Sequence, residues 1–259
     1  MSDTPNPAVA AIGMLRARRV SAPAPSGTAV ADHEALQPVL EDLRELGIAS
    51  LPSHRGTLRA YRDDLVGHEP DDMAPADALA FWLNLYNAGA LDAAAAAVDE
   101  AASSVLRVSD AFSGTWATVD DEALSLDDIE HGKIRRFGDP RIHAALVCGS
   151  VSCPTLRYEP FVGTRLNAQL EDQMRIFLQS GGASLDRSSD TIRLSRIFLW
   201  YGRDFTHPHA MPTMAPAMPD RLRDTVAWWL NEEDRAYVWR SAPSVEYLAY
   251  DWALACSIA

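Results

Sequence analysis

Residues 139–160 read DPRIHAALVCGSVSCPTLRYEP. Asp139-Pro140 favours a turn, and Arg141 to Cys148 is an apolar run of strand length. Gly149-Ser150 breaks the run, and Ser152-Cys153-Pro154 continues it as a polar loop. The pattern predicts a buried strand that delivers polar and thiol groups into a loop, a common way to mount a site on a rigid support. Two of the chain's three cysteines and one of its seven histidines lie here. Strand alternation would put Ile142, Ala144, Leu146 and Cys148 on one face and His143, Ala145 and Val147 on the other.

Around this stretch the chain is mostly helical in pattern. Leu36, Val39, Leu40, Leu43 and Leu46 recur at helical spacing, with Asp32 as N-cap and Gly47 as terminator. Leu58, Tyr61 and Leu65 mark a second helix over 57–66. A third covers 77–97, where Phe81-Trp82-Leu83-Asn84-Leu85-Tyr86-Asn87-Ala88 is apolar on most faces and therefore central. Residues 115–124 and 184–195 read as hairpins. Ser125 reads as the N-cap of a short helix with an acidic first turn, carrying Glu130 and His131. Amphipathic helices follow at 164–178 and 221–230, and 245–252 reads as a closing strand. Helices and strands interleave without a repeat or an internal linker. The expectation is one α+β domain over 31–259, its helices packed on a small, mostly antiparallel sheet. A cysteine-protease or transglutaminase-like arrangement is one version of that class. Residues 1–30, rich in Ala, Pro and Ser, are expected to be a flexible tail.

Composition narrows the partners. Acidic residues number 36 against 23 basic ones, a net charge of -13. Such a surface repels phosphates and anionic lipid, and no basic patch stands out, which argues against nucleic acid and membrane partners. At 47% hydrophobic residues the chain can bury a core without a metal or disulfide staple. Three cysteines make no disulfide framework. The start lacks a basic segment before a long apolar core, and no apolar run reaches membrane-spanning length. A soluble, cytoplasmic protein is expected. Oligomeric state has no signature in the sequence.

Five ordered blocks carry a family resemblance: FWLNLYNA at 81–88, LSLDDIEHGKIRR at 124–136, DPRIHAALVCGSVSCPTLRYEPF at 139–161, LSRIFLWYGRDF at 194–205 and YDWAL at 250–254. Together they resemble the domain-of-unknown-function 547 family over about 78–254. The resemblance implies a shared fold and shared polar residues within the blocks. It leaves the chemistry to be argued from the residues. One departure is visible: the last block resembles a pattern continuing in Asn, and here Ala255 takes that place.

Thiol chemistry needs a thiolate, an imidazole beside it and a third group to orient the imidazole. Cys153, in a polar loop, is the expected nucleophile, and alternation sets Cys148 aside as core. His143 is the expected base, with Glu130 or Asn87 to orient its ring. Gly149 and Ser150 offer backbone N–H groups to an oxyanion. Asn84, His131, Arg135 and Ser152 complete the expected substrate-binding set. Papain-like and transglutaminase-like enzymes have the Cys at a helix N-terminus and the His on a strand. The order His143 then Cys153, with Pro154 following, would be a rearrangement of that plan. The resulting reading is a hydrolase or acyl transferase acting on an amide or ester of a small molecule or peptide.

Blander readings stand beside each of these. Asn84 and Asn87 share a helix face and serve equally as structural polar bridges. Asp204 and Asp251 lie in aromatic-rich blocks and are expected to form buried pairs that fix the fold. A non-catalytic binding protein is the runner-up. A metal site using His143, Cys148 and Cys153, with His131, His207 and His209 in reserve, is a further alternative. No cofactor is expected, because no Gly-rich phosphate loop is present.

Overall fold

A computed structural model describes residues 15, 17–208 and 210–259. Helix α1 (Gln37–Leu46) ends at Gly47, whose φ of 74° is the left-handed turn that glycine adopts at low cost. Helix α2 (Leu51–Leu65) packs along helix α3 (Pro75–Asp99). Every residue of α3 from Ala78 to Ala97 is buried, so the helix is covered on all sides. Fully burying side chains such as Phe81, Leu83, Leu85 and Leu91 contributes roughly 1.5–3 kcal/mol each. The long apolar pattern at 77–97 thus becomes the axis of the main core.

Strands β1 (Thr115–Val119) and β2 (Glu122–Ser125) form an antiparallel hairpin. Asp120 and Asp121 turn it with φ of 51° and 57°, the left-handed conformation that a two-residue hairpin of this twist requires. Ser125 closes a capping box with Asp128, as the sequence predicts for an N-cap. The helical passage it starts is irregular: Ile129–Lys133 is wound as a π turn and Ile134–Phe137 as a 3-10 turn. The π turn sits against Ala17 and Val20. A Cβ on Gly132 would lie 2.8 Å from the Val20 side chain, so glycine permits the approach.

Helix α4 (Leu166–Phe177) leads to β3 (Ala183–Asp186) and β4 (Thr191–Leu194). These strands are antiparallel, and β5 (Ser244–Tyr247) joins β4 in parallel, giving the order β3-β4-β5. Short helices α5 (Arg196–Trp200) and α6 (Gly202–Thr206), then α7 (Pro219–Val226) and α8 (Glu232–Ser241), close the domain. They build a second apolar cluster around Phe198, Phe205, Leu222 and Val226. The fold is a single α+β domain with one small antiparallel sheet and one mixed sheet.

The expected strand at 141–148 is the main correction. Pro140–Ala144 is a 3-10 turn. The Asp139 carboxylate accepts from Arg141 N, and Pro140 presets the first helical φ. Those two starts override the apolar run. The alternation that paired Cys148 with Ile142 therefore does not apply. Ile142 and Ala145 pack into the first core, while Ala144 packs into the second. The segment lies at the seam between the two cores, and His143 lies within it. The closing strand is also shorter than expected; beyond β5 the chain runs along the thiol loop.

Of the expected tail, residues 1–14 and 16 lie outside the described residues. The described part is tied to the domain. Arg136 donates to the carbonyls of Val20 and Ala17, and Ser21 bonds Glu122 and Lys133. Backbone carbonyls and the Ser21 hydroxyl supply these contacts, so the small side chains that suggested a tail do not prevent them.

Candidate functional site

A narrow cleft opens at the seam, lined by Glu130, His143, Cys148, Cys153, Tyr201 and Tyr250 among others. Its free volume is about 90 Å³. Sites for whole small ligands run to roughly 300–1,000 Å³. The cleft has room for a short acyl tip or one side chain.

One wall carries the thiols. Gly149 turns the chain with a φ of 73°, and Cys153 N donates to Ser150 O at 3.1 Å. That turn brings Cys153 Sγ to 2.8 Å from Cys148 N, which donates to it. Cys148 Sγ lies 3.2 Å from Ser150 Oγ and 3.3 Å from Tyr250 OH. Hydrogen bonding from Cys153 lowers the Cys148 thiol to about 7 against the opposing effect of burial, and Ser150 and Tyr250 add to the lowering. Burial, with the adjacent sulfur of Cys148, pushes Cys153 well up. The pair shares one readily lost proton, and Cys148 is the side that releases it. Burial holds Tyr250 far above the ordinary phenol range, so it remains an O–H donor. Cys256 is pushed up to about 12 by burial.

The C-terminal segment braces this wall. Val151 N donates to Ala253 O, Ala255 N to Gly149 O, and Leu156 N to Ser257 O. At position 255 the contact is made by backbone, so it does not depend on the side chain there. Among the described residues, the N–H groups of Gly149 and Ser150 donate to no other group. Ser152 is turned to the brace instead: its Oγ accepts from Asp251 N at 2.9 Å.

The opposite wall carries the imidazole. His143 Nε2 lies 2.9 Å from Asp204 Oδ2. Arg135, whose side chain is wholly buried, donates to both Asp204 oxygens at 2.7 and 3.0 Å. Burial raises the Asp204 carboxyl, but His143 and Arg135 outweigh it and hold it at about 2. An ionised carboxylate only accepts, so His143 carries its proton on Nε2 and leaves Nδ1 as the acceptor nitrogen. Tyr201 stacks on the ring with centroids 4.2 Å apart, which fixes its plane. Among the described residues no hydrogen bond joins His143 to either thiol.

The remaining expected residues divide between cleft and scaffold. Glu130 lines the cleft and accepts from Tyr86 OH at 3.2 Å rather than from His143. Burial raises its carboxyl, yet the neighbouring His131, His143 and Arg135 bring it below the ordinary range. His131 lies behind it, with Nδ1 3.5 Å from Glu130 Oε1, and burial lowers it to about 4. Asn87 clamps the approach to the thiols, donating to Ala145 O and accepting from Val147 N. Asn84 does the same for Phe161. Both asparagines are thus the structural bridges of the blander reading, and Asp204, not Asn87 or Glu130, orients the imidazole. Arg135 stands behind the cleft, holding Asp204 and lying 4.9 Å from the ring centroid of Tyr201. Asp251 is exposed and its carboxylate accepts from Ala253 N, which removes it from the expected buried pairs.

Among the described residues, no group of three or more His, Cys, Asp or Glu side chains is arranged to hold a metal ion. His143, Cys148 and Cys153 do not converge in that way, and His209 lies outside the described residues. No helix among the described residues is long and apolar enough to cross a membrane.

Residues 70–178 match the family model described as protein of unknown function, DUF547. Over this segment the chain is similar to the DUF547 family. No curated protein and no solved structure matches the chain. The DUF547 segment holds α3, the π turn and the loop with both thiols, hence Glu130, His143, Cys148 and Cys153. Tyr201 and Tyr250 enter the cleft from beyond the DUF547 match, and Asp204, also beyond it, reaches the cleft through His143. Tyr201 and Tyr250 were invisible as site residues because aromatic blocks read as core. Asp204 was legible as a buried ion pair, but nothing in its local sequence pointed to His143.

Proposed function

We propose that the protein is a thiol-dependent hydrolase or acyl transferase acting on an amide or ester, with Cys148 as nucleophile in place of Cys153. One observation carries the reading: a thiol lowered to about 7 shares a cleft with an imidazole held in one tautomer by an ionised carboxylate. A thiolate near neutrality is the reactive form of cysteine. It attacks the acyl carbon, forming a carbon–sulfur bond. As the acyl–nitrogen or acyl–oxygen bond breaks, the leaving amine or alcohol takes the proton that His143 Nδ1 accepted from the Cys148 thiol, and His143 then deprotonates the water or second nucleophile whose attack breaks the carbon–sulfur bond and releases the acyl group. His143 Nδ1 is the nitrogen available for these transfers. Catalytic contacts that are open before substrate binds commonly tighten in the complex. Among the described residues the N–H groups of Gly149 and Ser150 donate to no acceptor, so they suit a developing oxyanion.

The test starts with alkylation by chloroacetamide at pH 7, read by peptide mass mapping. Cys148 is expected to react well before Cys153 and Cys256. Equal, slow reaction of all three thiols overturns the proposal. Turnover is then sought on a panel of short p-nitrophenyl esters and anilides. C148S should abolish any activity found, and D204N should lower kcat more than KM because it misorients the ring.

A further inference from the structure

We infer that Cys148 and Cys153 form a redox couple that reduces a small hydroperoxide and closes to an intrachain disulfide. The inference goes beyond acyl transfer: it uses the same thiols but needs no acyl substrate, and its readout is mass rather than turnover.

The geometry comes first. The Gly149 reversal and the Cys153 N to Ser150 O bond fold the five-residue step back on itself. Cys153 Sγ then rests 2.8 Å from the backbone N of Cys148, one Cα away from the Cys148 side chain. Both residues are partly exposed and both line the cleft. Bridging needs a Cβ···Cβ separation of about 3.5–4.5 Å, which the backbone sets; the Gly149 reversal draws the two backbones together, and rotation of the Cys148 side chain then has only to bring its sulfur to that of Cys153. Cys256 is the competing partner, but it is held on the C-terminal brace and does not line the cleft.

The two thiols also differ in the way the chemistry requires. Cys148 is the side of the pair that ionises near neutrality, and Cys153 keeps its proton. The Cys148 thiolate attacks one peroxide oxygen. A sulfur–oxygen bond forms, the oxygen–oxygen bond breaks, and the departing oxygen takes a proton and leaves as water or alcohol. Cys148 is left as a sulfenic acid. Cys153 then gives up its proton and attacks the Cys148 sulfur. The sulfur–sulfur bond forms, the sulfur–oxygen bond breaks, and water leaves. Two electrons pass from the thiol pair to the peroxide. Cleft size selects the oxidant. About 90 Å³, against water's share of liquid volume of about 30 Å³, has room for a small hydroperoxide.

The experiment treats the full chain with hydrogen peroxide, blocks remaining thiols, and maps the tryptic peptides. Cleavage after Arg141 and Arg157 leaves both cysteines in one peptide, 142–157, while Cys256 falls in the peptide after Arg240. The expected result is a 142–157 peptide lighter by the mass of two hydrogens, unblocked at both thiols and restored by dithiothreitol. In C153S, dimedone should instead trap Cys148 as a sulfenic acid. In C148S the 142–157 peptide should remain fully blocked as a thiol. A disulfide from either residue to Cys256 overturns the inference. So does direct passage of wild-type Cys148 to sulfinic acid without the mass loss. The wild-type result stands even if a variant fails to fold. Peroxide closure without ester or anilide turnover would sink the acyl-transfer reading alone.

Discussion

The two walls of the cleft are built in contrasting ways. The thiol wall is a loop: its side chains are partly exposed, and it is held by backbone bonds to the C-terminal segment and by the Asn87 clamp. The imidazole wall is a buried charge network, Arg135–Asp204–His143, roofed by Tyr201. The loop tunes acidity through hydroxyl and thiol donors that can rotate. The network tunes orientation through charges that cannot leave without cost. Stability should therefore depend mainly on the imidazole wall and reactivity mainly on the thiol wall.

Arg135→Met is the largest expected break in that contrast. It takes both Arg135 hydrogen bonds from Asp204 and leaves it with His143, and removing one member of a buried pair costs about 3–5 kcal/mol. Urea denaturation measures this. If the walls are separable, the native variant should still alkylate at Cys148 first.

Acid should act next, through His131 behind the imidazole wall. Its folded value of about 4 lies below the ordinary 6.5. As pH falls below 6.5 the unfolded chain binds a proton that the folded chain refuses, so stability declines until about pH 4. The whole shift corresponds to about 3 kcal/mol. His33, distant in sequence and bonded to Tyr61, titrates in the same direction. Urea midpoints at pH 7, 5.5 and 4 should show the decline, and His131→Gln should flatten it without abolishing it. An unchanged slope in that variant would remove His131 from the network.

Asn87→Ala attacks the clamp on the thiol wall. It strands Ala145 O and Val147 N, both buried, at a cost of about 2–3 kcal/mol. Here stability and selectivity should fall together, because the loop carrying Cys148 loses its anchor. Retained Cys148 selectivity would show that the C-terminal brace alone positions the thiol.

Tyr250→Phe is the finest probe. It removes one donor at 3.3 Å from Cys148 Sγ, an effect of about 1 kcal/mol, or less than one pH unit. The pH dependence of alkylation should move upward from about 7, with little change in stability. A downward move would mean that Tyr250 does not donate to the thiolate.

Local signals made much of the scaffold legible. Gly47 as a helix stop, Ser125 as a cap, the Asp120-Asp121 turn and the all-round apolar face of α3 each depend on neighbours within a few residues, and each is present. The stretch 139–160 was also legible as the place where thiols and imidazole gather. Its conformation was not, because an apolar run of eight residues suits a strand and a buried turn alike. Asp139 and Pro140 decided for the turn.

The sequence by itself determined the helical core, the two hairpins and the neighbourhood of the site. Tertiary structure alone decided which thiol is acidic and what orients the imidazole. Cys148 and Cys153 are the same side chain, and the sequence ranked them by a strand that does not form. Their acidities diverge because Tyr250, 102 residues beyond Cys148, and the Gly149 reversal surround one sulfur with donors and leave the other protonated beside it. His143 likewise meets Asp204 across 61 residues. Acidity and orientation depend on distances of a few ångströms, and only the folded chain sets those.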